Sequence, residues 1–403
     1  MRRFRAAWVL PIAAPPVTDA TVTVDRGRIL AVGPAGAGSR HPDEVDLGSV
    51  AVLPGLVNAH THLELSGLRG LVPPAESMPA WVEGVLAQRS ADTVGDSAAV
   101  EAAIAELRQA GTALVGDITN SLSTVGPLGR GPVSAVVFHE LIGFAPADVE
   151  VVARRAVTDA HGAETAAHVR RRVAAHAPYS VAPSLFAAIQ RHRTAHRLEG
   201  PLAVHLAESS EEIQFLRDGT GPWRQLLERL GVWDPDWHPP QCGSVEFLAR
   251  VGWLDPGVVA VHGVQLTMEE LRRLARHGLA LVVCPRSNAW TGAGRAPVRR
   301  ALEAGVQLAV GTDSLASAPD LNLFAELAAL RAEAPEIPAR TLLAAATLGG
   351  ARALGWAEAY GTIEPGKRSE LIAVTLPDEV ADVEEYLLSG ITPRAVRWLE
   401  ECA

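Results

Sequence analysis

Lysine is nearly missing from this chain of 403 residues: Lys367 is the only one, so arginine carries almost all of the positive charge. Positive charge itself is in deficit, with 36 Lys and Arg against 46 Asp and Glu and a formal net charge of −10. Binding to nucleic acid requires a basic surface to neutralise phosphates, and no basic stripe offsets that balance, so no nucleic-acid partner is expected. The 3 cysteines, Cys242, Cys284 and Cys402, show no CxxC spacing, which argues against a disulfide framework and a thiolate zinc site and for a reducing, cytoplasmic setting. No apolar run reaches the ~18 residues of a membrane span, so no membrane partner is expected either. Residues 1–14 imitate a secretory leader, with Arg2, Arg3 and Arg5 ahead of an apolar run. Pro11, Pro15 and Pro16 interrupt it and a strand pattern follows at 21–24, so the segment is read as part of the fold. There is no internal repeat and no low-complexity tail.

What is present is apolar material: 48% of the residues are hydrophobic and 20% charged, enough for a large barrel plus a small extra unit. Near the start, strands at 21–24 and 29–32 flank the turn Asp25-Arg26-Gly27-Arg28. Near the end, Gly361-Thr-Ile-Glu-Pro-Gly-Lys367 leads into an apolar strand at 371–376. Segments 1–53 and 362–403 are expected to pair into one small β-sandwich, leaving 54–361 as an inserted domain. That middle region alternates apolar, β-branched runs with helical stretches, the signature of parallel strands joined by crossover helices. The runs lie at 52–59, 113–116, 133–138, 173–175, 202–204, 258–261, 279–283 and 306–310, with helices at 98–110, 183–196, 244–251, 267–277 and 297–304. The fold class is therefore α/β, a (β/α)8 TIM barrel. A doubly wound open sheet is the rival, but no Gly-rich dinucleotide loop follows the first run.

Barrel active sites gather at the C-terminal ends of the strands, so polar residues just past each run matter most. Here these are His60-Thr-His62, His176, His205-Leu-Ala-Glu208, His262-Gly, Ser287-Asn288 and Gly311-Thr-Asp313. In a strand, residues i and i+2 face the same side, so His60 and His62 can both point to the barrel axis. Neutral imidazoles with one carboxylate form a ligand set for Zn²⁺ or a similar cation. A lone histidine is usually structural or exposed, and His41, His161, His168, His192, His196, His238 and His277 are read so. Histidines and an aspartate falling in phase with successive strand ends are not.

On these residues the chain resembles the amidohydrolase superfamily nearly end to end. The matching motifs are Pro54-Gly-Leu-Val-Asn-Ala-His-Thr-His62, His205-Leu-Ala-Glu208, His262-Gly263, Gly311-Thr-Asp-Ser314 and Glu364-Pro-Gly-Lys367. One departure is Lys367-Arg-Ser-Glu370, where relatives carry Lys-x-Ala-Asp; it falls in the expected sandwich. Many relatives bridge two metals with a carboxylated lysine at the end of strand four, where this chain has His176. The resemblance thus implies one divalent metal, Zn²⁺ with Fe²⁺ as the alternative. Its ligands would be His60, His62, His205 and Asp313, with His262 contacting the attacking water. It also implies that Glu208 is the general acid/base of a hydrolytic deaminase, with His262 and Asp313 as its catalytic partners, and that the enzyme is a homodimer. As an alternative, Glu208-Ser-Ser-Glu211 reads as a helix-capping pattern on the surface.

Within the superfamily, several features are similar to aminodeoxyfutalosine deaminases, which act on an adenine nucleoside carrying a carboxybenzoyl group in the futalosine route to menaquinone. They are His60-Thr-His-Leu-Glu64, Trp81 followed by Gln88-Arg89, Cys284-Pro-Arg-Ser-Asn288 and Leu321-Asn-Leu-Phe-Ala-Glu-Leu327. The resemblance implies a small nucleoside substrate, with Glu64, Trp81, His176, Arg286, Ser287 and Asn288 as candidate contacts; Ser287 and Asn288 could instead brace Asp313. A substrate carboxylate would want an arginine, and Arg69, Arg89, Arg286 and Arg295 all fall in strand-end loops. Segment 63–93 is long enough to act as a binding loop. Adenosine, thioadenosine or S-adenosylhomocysteine deamination, hydrolysis of a cyclic amide or halogenated heterocycle, and a metal-containing binding protein are the other readings.

Overall fold

A computed structural model describes residues 1–35, 44–90, 93–161 and 166–402. His41 and the side chain of His161 lie outside the described residues. The terminal strands are β1 (Arg2–Val9), β2 (Val17–Asp25), β3 (Arg28–Pro34), β4 (Glu44–Asp46) and β5 (Val50–Pro54). The barrel strands follow as β6 (Leu56–Thr61), β7 (Thr112–Thr119), β8 (Ser134–Leu141), β9 (Val169–Ala175), β10 (Leu202–Leu206), β11 (Val258–His262), β12 (Ala280–Val283) and β13 (Gln307–Val310). The chain returns to the terminal unit with β14 (Leu371–Thr375) and β15 (Val396–Trp398). The segment resembling a leader is thus β1, which pairs with β2 on one side and with β4 and β5 on the other.

Strands β6 to β13 form one 8-stranded sheet in chain order, every neighbouring pair parallel. In β6, β7, β10, β11 and β12 every residue is buried. Helices cover one face and the barrel interior the other, which is why these strands read as unbroken apolar runs rather than as alternating patterns. The ring closes between β6 and the residues after β13. Thr61 and Asp313 form a parallel bridge, and the amides of Thr312 and Asp313 both donate to the His60 carbonyl at 3.1 Å. The Asn58 amide group donates to the Thr312 hydroxyl at 2.7 Å and accepts from the Thr312 backbone at 3.1 Å. Barrel closure is therefore the same set of contacts that sets Asp313 beside His60.

Gly311 permits that approach. A Cβ there would lie 2.7 Å from the His60 carbonyl oxygen and 2.8 Å from its Cβ. Gly311→Ala is accordingly expected to lose about 1–3 kcal/mol of stability, as overpacking does. A thermal melt checks this, and an unchanged Tm would mean that the seam has slack.

The terminal strands make a second sheet, with β15, β14, β5, β1, β2 and β3 in that order and β4 beside β1. Alternation sorts its residues. Val50, Val52, Leu371 and Ala373 join Phe4, Val22 and Ile29 in a core of their own. The intervening Ala51, Leu53, Ile372 and Val374 belong to the barrel core. The apolar run 52–59, read as one strand, is two: it breaks at Gly55, where a Cβ would lie 2.6 Å from that of Ala113. Arg108 ties the two units together, its guanidinium 3.3 Å from the Trp398 ring centre while its carbonyl accepts from the Trp398 indole at 2.8 Å. Among the described residues no helix is long and apolar enough to cross a membrane.

Candidate active site

His60 stands on β6 and His62 just past its end, His205 on β10, and Asp313 three residues past the end of β13. Their functional atoms converge. Asp313 Oδ1 lies 3.6 Å from His60 Nε2 and 3.5 Å from His62 Nε2, and His62 Nε2 lies 3.4 Å from His205 Nε2. Ligands held about 2.0–2.1 Å from a tetrahedral cation are themselves separated by about 3.4 Å, so the spacing is that of a ligand shell. His60 Nε2 is buried without a hydrogen-bond partner, as expected of an atom reserved for a metal.

The protonation states agree. Burial lowers the pKa of His60 and His205 and takes His62 down to about 3, so the imidazoles are neutral, the form that ligates. Burial alone would raise Asp313, but the His60 and His62 rings beside it outweigh that and hold its carboxyl well below the usual range, ionised. His205 Nδ1 donates to the His176 carbonyl at 3.0 Å, which leaves Nε2 free to face the cluster. The Ser287 hydroxyl donates to Asp313 Oδ2 at 2.6 Å, leaving Oδ1 for the same purpose. The donor set fits one divalent cation.

Glu208 is placed by the turn after β10. Ala207 adopts a left-handed φ of 50°, and the buried Glu212 carboxylate accepts from the backbone amides of Ala207 (2.8 Å) and Glu208 (3.1 Å) and from the Ser244 hydroxyl (2.7 Å). The following helix, Ser210–Asp218, is capped by Ser209. Glu208 therefore lies outside the cap and is buried, 1% exposed, with Oε1 3.4 Å from His262 Nε2. Burial raises its pKa to about 7, suited to carrying a proton near neutrality. His262 Nδ1 pairs with Asn288 Oδ1 at 2.8 Å, which turns Nε2 toward Glu208.

A cavity of about 340 Å³ opens over these groups, and Glu64, Trp81, His176, Glu208, His262 and Asp313 all line it. Three expected contacts fall elsewhere. Arg286 is turned away from the cavity, with Nη1 2.8 Å from Asp320 and Nε 3.5 Å from the buried Glu326, because those two carboxylates compensate its charge. Ser287 and Asn288 lie behind the cavity wall and hold Asp313 and His262 instead. Glu64 lines the cavity, but its carboxylate is saturated by the Thr119 and Ser121 hydroxyls and the amides of Asn120 and Ser121. Of the four arginines considered, Arg69 pairs with Glu106 and Arg295 with Glu333, whereas Arg89 lines the cavity.

Sequence reasoning passed over Asn120, Glu140 and Glu212. The apolar runs were ended at 116 and 138, short of the true ends of β7 and β8 at Thr119 and Leu141. The polar pair His139-Glu140 follows the run at 133–138 just as the chosen residues follow theirs, and was the available signal.

The chain matches the Amidohydrolase family over residues 51–392. It is 31% identical over 385 residues to a 5-methylthioadenosine/S-adenosylhomocysteine deaminase of Moorella thermoacetica, covering 91% of this chain and 84% of that one. It is 30% identical over 352 residues to an aminodeoxyfutalosine deaminase of Deinococcus radiodurans, covering 82% and 81%. Among solved structures, an adenosine deaminase from Xanthomonas campestris with bound zinc superposes with a TM-score of 0.80 at 28% identity, covering 98% of this chain and 90% of that one. A closed barrel with its ligand cluster and the family match together show that the chain belongs to the amidohydrolase family and is a hydrolytic enzyme.

Proposed function

We propose that this enzyme deaminates an adenine-type nucleoside by hydrolysis, with 6-amino-6-deoxyfutalosine as its substrate and menaquinone biosynthesis as its setting. The observation that carries the reading is Glu208, buried against His262 three residues after His205 and aimed at the same cavity. A divalent cation held by His60, His62, His205 and Asp313, Zn²⁺ first and Fe²⁺ as the alternative, would supply an activated water at neutral pH. The chain's own groups do the rest. Glu208 moves a proton to the ring nitrogen beside the amine-bearing carbon, while His262 Nε2 orients the attacking water. Asp313, held by Ser287, takes the second water proton and passes it to the amine, and the C–N bond breaks to release ammonia as the ring carbonyl forms. His176, its Nδ1 fixed 2.6 Å from the Ser180 hydroxyl, presents Nε2 to the ring. Trp81, its indole donating to the Ala316 carbonyl at 3.4 Å, forms a fixed wall.

For the substrate, the support is the outer cavity. Val82, Val85, Leu226 and Leu227 make it apolar, and Arg89 is the one arginine or lysine lining it among the described residues. That combination suits an aryl group ending in a carboxylate. A 5-methylthioadenosine or S-adenosylhomocysteine substrate is the second reading, favoured by the apolar wall together with the Moorella relative. The free cysteines fit a reducing cytoplasm.

Ammonia release across adenosine, 5-methylthioadenosine, S-adenosylhomocysteine and aminodeoxyfutalosine tests this. The highest kcat/KM is expected for aminodeoxyfutalosine. Arg89→Ala is expected to lower it by about 10–100-fold, the worth of a charge-assisted hydrogen bond, with little change for 5-methylthioadenosine. A higher kcat/KM for either thio-nucleoside would favour the second reading, and no ammonia from any of the four would end the deaminase proposal.

A further inference from the structure

Resting on the deaminase reading, we propose that Glu140, oriented by Asn120, recognises the ribose hydroxyls, so that the cavity selects ribonucleosides over their deoxy forms. Glu140 stands near the end of β8, buried in the cavity wall at 5% exposure. Its Oε2 accepts from the Asn120 side-chain amide at 2.9 Å, but Oε1 has no hydrogen-bond partner. The nearest donor candidate, His205 Nδ1 at 3.6 Å, already gives its proton to the His176 carbonyl. The contrast with Glu64 is informative: that neighbouring carboxylate receives four protein donors, whereas the Glu140 carboxylate receives one, on Oε2 alone. A buried carboxylate oxygen without a donor is destabilising on its own, and such a group in a cavity wall is matched when a ligand supplies the donor.

The surroundings narrow the kind of donor. A cation is already present on this strip of wall, since Arg89 Nη2 lies 3.4 Å from Asn120 Oδ1 and 4.0 Å from Glu64 Oε1. A hydroxyl carries no charge and both donates and accepts, so it satisfies a carboxyl in either protonation state. The strip Glu140–Asn120–Arg89 is also polar where Trp81, Val85, Trp223 and Leu226 make other parts of the wall apolar. A nucleoside whose base reaches Glu208 and His262 has one edge rich in hydroxyls, and this strip can hydrogen-bond it.

The test compares kcat/KM for adenosine and 5-methylthioadenosine, each with its 2′-deoxy and 3′-deoxy forms, on the wild type, E140Q and E140A, with bound metal measured on each protein. The wild type is expected to prefer the ribose form over at least one deoxy form by about 10–100-fold, the range for a hydrogen bond to a charged group. E140A is expected to shrink that preference to within about 3-fold by slowing the ribose forms alone, with metal content unchanged, and E140Q to fall between. Equal wild-type turnover of ribose and deoxy forms would overturn the proposal, and that comparison stands even if E140A fails to fold. A preference that survives in E140Q and E140A would overturn it as well. Equal slowing of all forms with loss of metal would make Glu140 a support for His205 instead. No ammonia from any ribonucleoside would remove the deaminase reading itself, an outcome distinct from the others.

Discussion

Glu208→Gln is expected to lower kcat by about 10²–10⁴-fold, the usual contribution of a positioned general acid/base, with KM and metal content close to wild type. The substitution preserves shape in a tightly buried position, and the Glu212 clamp on the backbone of residues 207 and 208 does not involve the altered side chain. What disappears is the group that can release a proton to the ring and regain one. Stability gives a second readout. Because burial raises the Glu208 pKa to about 7, the folded state binds that proton more tightly than the unfolded chain does. Ionised Glu208 therefore disfavours folding increasingly as pH rises from the ordinary glutamate range through 7. A neutral glutamine carries no such penalty, so the variant's Tm at pH 8 is expected to equal or exceed that of the wild type. A variant that keeps near-normal kcat would show that protons travel by another route.

Removing the metal is expected to abolish turnover and to loosen the seam of the barrel. Asp313 bridges the two roles: its side chain belongs to the ligand cluster, and its backbone amide closes the ring on the His60 carbonyl. A cation present at about 1,000 times its Kd adds about 4 kcal/mol to the folded state. Chelation should therefore lower the Tm as well as end ammonia release, and Zn²⁺ should restore both. His60→Ala should reproduce the chelated state and resist rescue, since it removes a ligand from the cluster. Full activity after exhaustive chelation would contradict the metal's role.

The barrel was legible because its strands are buried on both faces and stand out as apolar runs between helices. The convergence of His60, His62, His205 and Asp313 was legible for a related reason: each strand end places a side chain toward the axis, so polar residues just past a run are marked by position. The break at Gly55 was not, since it depends on the close approach of Ala113, which no local pattern encodes. The position of Arg286 was hidden likewise. Its partners Asp320 and Glu326 lie more than thirty residues along the chain, and only packing shows that they claim its charge. Glu140 was missed because the apolar run it follows ends before β8 does.

The most direct test is to strip the enzyme of metal and add Zn²⁺ back in steps, following ammonia release from the best substrate of the panel. Activity should climb linearly and level off at one Zn²⁺ per chain, because His60, His62, His205 and Asp313 would form one shell and the only lysine, Lys367, is paired with Glu364 in the loop before β14. A plateau at two equivalents, or activity that never depended on added metal, would contradict the account.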